Sequence, residues 1–158
     1  PYREAALPLL LADASILTVA PGPDGRPPVR QERPLRAIFD KRLVLAPGEL
    51  VLSFCVPLDA PEWPWSHYRR TRTGEVDYPL ATVAMVHDGA GIRFAVSGAH
   101  PYPFRSDAVD ALLSKDGAAA IPAVLEALGP LRADARASLE YRVALLKNMI
   151  RAGLEDLA

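Results

Sequence analysis

The sequence predicts an α+β fold, in which a small antiparallel sheet is covered by helices. Residues 77–97 have the pattern of a β-hairpin, because two apolar segments flank the glycine-containing turn Asp88 to Gly91. One face of this hairpin therefore needs a cover. Residues 134–157 supply it as an amphipathic helix, whose apolar stripe consists of Leu139, Val143, Leu146, Ile150, Leu154 and Leu157. Strand patterns come first along the chain and helix patterns last, as in α+β proteins.

The N-terminal part begins with a helical segment at residues 3–13, with Pro8 suited to a first turn or a boundary. A short strand is predicted at residues 15–20. The proline-rich run 21–28 must turn, since proline cannot donate a full ladder of amide hydrogen bonds. Residues 29–33 then form a return strand and residues 34–39 a helical turn.

The segment from Leu50 to Val56 is apolar on both faces, which is typical of a buried strand. A turn at residues 46–49 precedes it, and Pro57 ends it. Cys55 lies inside this pattern, so we expect its thiol to be buried as a small hydrophobic group.

Both tryptophans, Trp63 and Trp65, fall in the proline-containing segment that follows. One interpretation is a surface loop whose rings pin it to the body of the domain. The other is a docking edge, because two neighbouring indoles are an unusual amount of apolar surface for a loop. The basic cluster Arg69, Arg70 and Arg72 comes next and suggests a solvated face.

Three helices are predicted after the hairpin. Ser106 caps a helix that reaches Lys115, and a second helix runs over residues 118–128 and stops at Gly129. Asp134 is the expected N-cap of the final helix.

Bulk composition excludes several classes of function. The chain has 158 residues, of which 50% are hydrophobic. Its formal net charge of −1 gives no positive electrostatic field that would attract nucleic acid or an anionic membrane. Its longest apolar runs are far shorter than the roughly 20 residues that span a bilayer, and no signal-peptide pattern opens it. A single cysteine rules out an internal disulfide, which favours the cytoplasm.

No catalytic set that could act alone is recognisable. His67, His87 and His100 have no Cys or acidic partner at metal-ligand spacing, so surface or core positions are expected for them. The sequence also has no nucleophile elbow, Walker loop or Gly-x-Gly-x-x-Gly turn. A nucleotide's pyrophosphate needs clustered backbone amides or a helix N-terminus, and no glycine-rich cradle is present.

Three segments together resemble the flavin-binding subunit of the molybdenum hydroxylases, the family of xanthine dehydrogenase and aerobic carbon monoxide dehydrogenase. They are residues 45–52, residues 68–81 with Tyr68 and Arg70, and residues 134–142. The resemblance covers nearly the whole chain but only the C-terminal portion of a family subunit. It implies that residues 1–40 are an α/β remnant of the flavin domain's second lobe. Residues 41–158 would then form the C-terminal domain, with about three antiparallel strands against a helical bundle.

The resemblance also implies a role in electron transfer. Family subunits carry FAD between a 2Fe-2S subunit and an electron acceptor, while substrate is oxidised at a molybdopterin-binding subunit. Val51 would pack near the flavin ring and Arg70 would lie near its polar edge. The alternative is that Val51 belongs to the core and Arg70 pairs with Glu75 or Asp77, while Tyr141 and Arg142 fix the helical bundle.

The chain departs from the family pattern in three ways. The glycine-rich loops that hold the FAD pyrophosphate lie upstream of the segments matched here, a family acid corresponds to Ala5, and a family lysine and arginine correspond to Arg70 and Gly74. We therefore expect FAD in a full-length subunit and not on this chain alone. A second hypothesis is a free-standing α+β interaction module that has lost flavin binding and docks partners through Trp63 and Trp65 or the hairpin edge. A homodimer is left open.

Overall fold

The computed structural model describes residues 5–74 and 77–158, and it confirms the α+β class. This part of the chain contains five α-helices and nine strands. The strands form a three-stranded sheet, a four-stranded sheet and a two-stranded ladder of two residues each. The helices are α1 (Ala6–Leu11), α2 (Leu35–Ile38), α3 (Asp107–Asp116), α4 (Ile121–Ala127) and α5 (Leu139–Asp156). The strands are β1 (Ser15–Ala20), β2 (Val29–Pro34), β3 (Phe39–Asp40), β4 (Arg42–Leu43), β5 (Leu50–Cys55), β6 (Trp65–Arg70), β7 (Ala81–His87), β8 (Ile92–Ser97) and β9 (Phe104–Arg105).

The first sheet has the order β2-β1-β5, with antiparallel pairing throughout. The predicted strand, return strand and helical turn over residues 15–39 are confirmed. A small core lies on one face of this sheet, consisting of Leu10, Ala14, Ile16, Leu35 and Ile38, with Val51 packed against it. Because β5 pairs with β1, this sheet extends well beyond residue 40.

The prediction that residues 50–56 form a buried strand is wrong. β5 is a strand, but every residue of it except Val51 is exposed, and Cys55 is exposed with it. The physical reason is position: β5 is an edge strand of a three-stranded sheet, and only the side that carries Val51 faces a core. An apolar run alone does not tell an inner strand from an edge strand.

The second sheet has the order β6-β7-β8-β9 and contains the predicted hairpin as β7 and β8. Met85 lies opposite Phe94, and Val83 opposite Val96, all with no exposed surface. The turn between the strands is closed by Asp88, whose Oδ1 accepts the amides of Ala90 and Gly91. The sheet has four strands, one more than the family resemblance implies, because β9 adds a two-residue edge.

This sheet is covered on both faces, although the sequence indicated a cover for one. Helices α3, α4 and α5 pack on the face of Met85 and Phe94. On the opposite face, Leu7 and Leu11 of α1 form a separate cluster with Ala84 and Ala95. The small side chains of Ala84 and Ala95 leave room for α1 to approach closely, which the hairpin pattern did not reveal.

A group of arginines fixes α1 to the second sheet. Arg93 donates to the carbonyl of Leu11 at 2.8 Å, and Arg105 donates to the carbonyl of Leu10 at 2.5 Å. Both guanidinium groups also pair with Asp13, which follows α1. The C-terminal carbonyls of α1, which have no partner inside the helix, are therefore satisfied by side chains from β8 and β9.

The final helix begins at Leu139, five residues later than a cap at Asp134 would place it. Ser138 is the N-cap, and its side chain accepts the amide of Tyr141 at 3.2 Å. The prediction of Asp134 as the cap was wrong, because its carboxylate binds three arginines and the amide of Arg136, ahead of the helix. The helix predicted from Ser106 to Lys115 is confirmed as α3, although the Ser106 side chain makes no capping hydrogen bond. The helix predicted at residues 118–128 is confirmed as α4 from Ile121 after a 3-10 turn, and Gly129 ends it with a φ of 69°.

Candidate functional site

A basic cleft lies where the end of β6 meets the start of α5. Its volume is about 230 Å³. The residues that line it are Arg70, Thr71, Arg72, Leu80, Arg136, Ala137, Ser138 and Tyr141. Three separate segments of the sequence therefore contribute to one depression.

Backbone pairing positions Arg70 at the base of this cleft. Arg70 is the last residue of β6, and its carbonyl accepts the amide of Leu80 at 2.7 Å. The neighbouring Arg69 donates from Nη2 to the carbonyl of Asp77 at 2.5 Å. These contacts hold together the two ends of the segment between β6 and β7. The backbone that carries Arg70 and Arg72 at the cleft is thereby held in place.

Arg142 ties the other wall of the cleft to the second sheet. Its guanidinium is completely buried and donates to the carbonyls of Leu80 and Gly98. Nη2 of Arg142 also donates to Asp134 at 2.8 Å. The position of α5 is thereby fixed relative to the strand that follows Arg70.

Asp134 is the acidic centre of an arginine cluster beside the cleft. Its carboxylate pairs with Arg132, Arg136 and Arg142 at 3.4, 3.1 and 2.8 Å. Partial burial on its own would raise the pKa of Asp134. The amide of Arg136 and the guanidinium groups of Arg136 and Arg142 outweigh that effect and hold the pKa far below its ordinary value. Asp134 is therefore ionised at neutral pH and neutralises part of the cluster.

Arginine side chains predominate in the described lining of the cleft. Asp134 partly neutralises Arg136, which also donates to the carbonyl of Tyr78 at 3.4 Å. Among the described residues, no acidic group pairs with the side chain of Arg70 or Arg72. The guanidinium groups of Arg70 and Arg72, beside the phenol of Tyr141, suit a planar anionic or strongly polar edge of a ligand.

Comparison with solved structures shows which fold this is. The chain superposes on a chain of the cyanide-inactivated Cu,Mo-CO dehydrogenase with a TM-score of 0.74 at 18% identity, covering 98% of this chain and 56% of that one. For a reconstituted CO dehydrogenase from Oligotropha carboxidovorans the TM-score is 0.71 at 20% identity, covering 95% and 55%. The chain has the fold of about half of a CO dehydrogenase chain. The resemblance stated from the sequence is thus confirmed at the level of fold.

A third CO dehydrogenase structure gives the same result. It is the enzyme from Hydrogenophaga pseudoflava that lacks the Mo-pyranopterin moiety of the molybdenum cofactor, with a TM-score of 0.72, 23% identity and coverage of 95% and 55%. No family model and no curated protein sequence matches this chain. The chain spans little more than half the length of the CO dehydrogenase chains it matches.

The structure places the two predicted flavin-contact residues in different surroundings. Arg70 lines the cleft. Val51 does not line it, and instead lies half-buried on β5 against the small core of the first sheet. Of the alternative partners of Arg70, Glu75 lies outside the described residues. Asp77 binds the hydroxyl of Thr73 and the amide of Tyr78.

Part of the cleft was missed from the sequence. Arg136 and Ser138 were not singled out, although both fall in the segment 134–142 that carries the resemblance. Tyr141 was expected to fix the bundle, but its side chain is 46% exposed and lines the cleft. The expected structural role of Arg142 fits its complete burial. The sequence did contain an indication of this cluster, since Arg136 and Arg142 follow Asp134 within eight residues and such spacing favours ion pairs.

The cleft by itself is too small to enclose a whole FAD molecule. The cleft is smaller than the roughly 300–1,000 Å³ of typical ligand pockets. Glycines with positive φ, which could form a phosphate cradle, are scattered along the described chain: Gly48, Gly74, Gly89, Gly98, Gly117 and Gly129. The arginines of the cleft suit one polar edge of such a ligand.

The remaining polar candidates do not form a site. His100 is buried, Nδ1 lies 2.9 Å from the carbonyl of Tyr102, and burial lowers its pKa. Residues 5–74 and 77–158 contain no group of three or more His, Cys, Asp or Glu side chains that could hold a metal ion. None of the described helices is both long and apolar enough to cross a bilayer.

Proposed function

We propose that this chain is the C-terminal portion of the flavoprotein subunit of a molybdenum hydroxylase. In that role it supports electron transfer from iron–sulfur clusters through FAD, as part of an oxidoreductase, and is not catalytic on its own. Its partners are a molybdopterin-binding subunit and a 2Fe-2S subunit, and it works in the cytoplasm.

One observation supports this proposal most strongly. Two of the segments that carry the family resemblance lie more than 50 positions apart, yet a continuous path of polar contacts joins them. Asp134 binds Arg142, Arg142 binds the carbonyl of Leu80, and the amide of Leu80 binds the carbonyl of Arg70. The matching residues therefore enclose one cleft in a chain that has the CO dehydrogenase fold over 98% of its length.

Within the proposal this chain supplies contacts to the flavin and leaves the phosphates to other residues. Arg70 would act as a cation at the polar edge of the ring system, and Val51 would pack near the ring. The small core around Val51 and the pairing of β5 with β1 favour a domain boundary after Cys55 in place of residue 40. The FAD pyrophosphate would be bound by residues outside the matched half.

The test is a comparison of flavin content. The natural protein, purified with the subunits encoded beside it, is expected to contain FAD, molybdenum and iron–sulfur clusters. The 158-residue chain, titrated with FAD and followed by flavin fluorescence, is expected to bind much less than one equivalent. Near-stoichiometric binding by the chain alone would contradict the division of the site, and a natural assembly without FAD would contradict the function.

A second candidate function rests on one exposed side chain. Trp65 begins β6 and is 68% exposed, whereas Trp63 lies beneath Arg93, with the guanidinium carbon 4.8 Å from the ring centroid. An exposed indole of this kind suits an interaction module that has lost flavin binding. Genes for molybdopterin and iron–sulfur subunits next to the coding region favour the first function, and their absence favours the second.

A further inference from the structure

A second surface cavity lies between the β3–β4 ladder and the loop that connects β8 to β9. Its volume is about 530 Å³, within the range of roughly 300–1,000 Å³ that is typical of small-molecule pockets. The residues that line it are Asp40, Lys41, Arg42, Val44, Pro101 and Tyr102. None of them lines the basic cleft, so the two cavities can be tested separately.

The turn between β3 and β4 holds Lys41 in a backbone conformation that lysine rarely adopts. Its φ is 61°, in the left-handed region, while Asp40 and Arg42 pair with each other on either side of it. Glycine takes this conformation freely, whereas a Cβ makes it unfavourable. Unfavourable backbone conformations of this kind cluster at ligand-binding sites. The turn alone would favour glycine, so the lysine side chain indicates a role beyond the turn.

The loop side of the cavity is held in place by the buried side chain of His100. Nδ1 of His100 lies 2.9 Å from the carbonyl of Tyr102, and the two rings meet edge to face with their centroids 4.4 Å apart. The ring of Phe104 lies on the same histidine, with the centroids 4.7 Å apart. The Tyr102 ring is therefore positioned before any ligand binds.

The ladder supplies the charges of the cavity. The ammonium of Lys41 lies 5.9 Å from the centroid of the Tyr102 ring, so this side chain reaches across to the loop. Arg42 adds a guanidinium and Asp40 a carboxylate, and both residues are exposed. In the part of the chain that the structure describes, none of the three forms an ion pair with another side chain. Their charges are therefore available to a ligand.

We propose that this cavity binds a mononucleotide. The Lys41 ammonium and the Arg42 guanidinium bind the phosphate, for which both groups are suited. The Asp40 carboxylate accepts hydrogen bonds from the ribose hydroxyls. The base packs on the ring of Tyr102 and on Pro101. This inference goes beyond the proposed function, since it uses neither the basic cleft nor a flavin contact.

The mixture of charges favours a nucleotide over a simple anion. The carboxylate of Asp40 repels inorganic phosphate and offsets part of the attraction of the two cations. A ligand that carries hydroxyl donors beside its phosphate turns the same carboxylate into a favourable contact. The aromatic wall likewise contributes only to a ligand that has a flat ring.

Calorimetric titration of the complete natural protein, as isolated, tests the binding with three probes: AMP, adenosine and inorganic phosphate. AMP is expected to bind about tenfold more tightly than either of the others, because it alone engages the cations, the carboxylate and the ring together. Equal dissociation constants for AMP and phosphate would reduce the cavity to a simple anion site and overturn the inference. Absence of AMP binding at millimolar concentrations would overturn it as well.

Lys41→Gly separates binding from folding. It removes the ammonium but relieves the left-handed backbone, so the variant should unfold at a temperature no lower than the parent while its affinity for AMP falls about tenfold. Arg30→Gln removes a charge from an exposed position on β2 that does not line the cavity, and should leave AMP binding unchanged. Parent-like binding of AMP by Lys41→Gly would contradict the inference.

Two further variants test the ring contact and the location. Tyr102→Leu keeps an apolar side chain without the aromatic face, so it should weaken AMP about tenfold and leave phosphate unchanged. Arg70→Gln alters the basic cleft alone and should bind AMP like the parent. Loss of AMP binding in Arg70→Gln with retention in Lys41→Gly would place the nucleotide in the basic cleft and overturn the inference.

Discussion

Arg142 donates from Nη2 to Oδ1 of Asp134 at 2.8 Å, and none of the Arg142 side chain is exposed. Asp134 precedes α5, whereas Arg142 lies in its first turn, so the pair folds the entry segment back onto the helix. Since the same guanidinium binds the carbonyls of Leu80 and Gly98, one side chain fixes the helix to two strand ends.

Replacing Arg142 by alanine should lower the free energy of unfolding by about 3–5 kcal/mol, because it removes the most buried partner of the Asp134 carboxylate and leaves the carbonyls of Leu80 and Gly98 without their guanidinium donor. Chemical denaturation measures this change. The control is Arg132→Ala, which removes a 49% exposed partner of the same carboxylate and should cost less than about 1 kcal/mol. Similar losses for the two variants would show that burial of Arg142 adds nothing.

The pH dependence of stability should change when Asp134 becomes asparagine. The folded-state pKa of Asp134 lies below the ordinary value of 3.8, so its contribution is complete above pH 3.8 and is lost as the pH falls further. The parent protein should therefore lose more stability between pH 6 and pH 3 than Asp134→Asn. Urea unfolding at both pH values measures the difference, and a pH-independent gap between the two proteins would contradict the assignment.

Much of the fold could be predicted because its patterns are local. The β7–β8 hairpin, the return strand β2 and the helix α5 each follow from spacing and turn residues within about 20 positions. The candidate site was less accessible. Arg70 was identified through the family resemblance. Arg136 lines the same cleft because Arg142 joins two segments that are distant in the sequence, and no local sequence pattern predicts such a contact.

The errors arose where burial depends on distant neighbours. β5 has the composition of a core strand, yet Phe54 and Cys55 are exposed because β5 is at an edge. The hairpin's second cover, α1, could not be inferred from small residues such as Ala84 and Ala95 alone. Asp134 has the chemistry of an N-cap, but its carboxylate binds the guanidinium groups of Arg136 and Arg142 and the amide of Arg136, all before or at the first turn of α5.

Gly98 should tolerate substitution poorly. Its φ is 78°, and a Cβ at this position would lie 3.0 Å from the carbonyl oxygen of Pro79 and 3.1 Å from the Cα of Ala81. Gly89 has a similar φ of 86°, but a Cβ there would meet nothing within 4 Å. Both alanine variants are strained by about 1–2 kcal/mol, and Gly98→Ala should lose about 1–3 kcal/mol more through the backbone clash. Thermal unfolding of the two variants isolates the clash, and equal losses would contradict it.

Leu146 lies in the middle of the α5 stripe and is completely buried in the main core with Met85 and Phe94. Leu146→Ala should cost about 2–5 kcal/mol of unfolding free energy, because it leaves a cavity between helix and sheet. The adjacent Lys147 is exposed, so Lys147→Ala controls for changes in the helix itself. A loss below about 0.5 kcal/mol for Leu146→Ala would mean that α5 does not cover the sheet.

Arg70 offers the most direct test of the flavin contact. In the complete protein, Arg70→Gln should weaken FAD binding about tenfold, because it removes one charge-assisted hydrogen bond worth about 1.5 kcal/mol. Arg70→Lys keeps the charge without the planar fork, and its loss should be smaller. Arg151→Gln removes an equal charge from an exposed position on α5 that does not line the cleft, so it should leave binding unchanged. Fluorescence titration of the FAD-depleted protein gives the dissociation constants. Equal values for Arg70→Gln and Arg151→Gln would remove Arg70 from the flavin site.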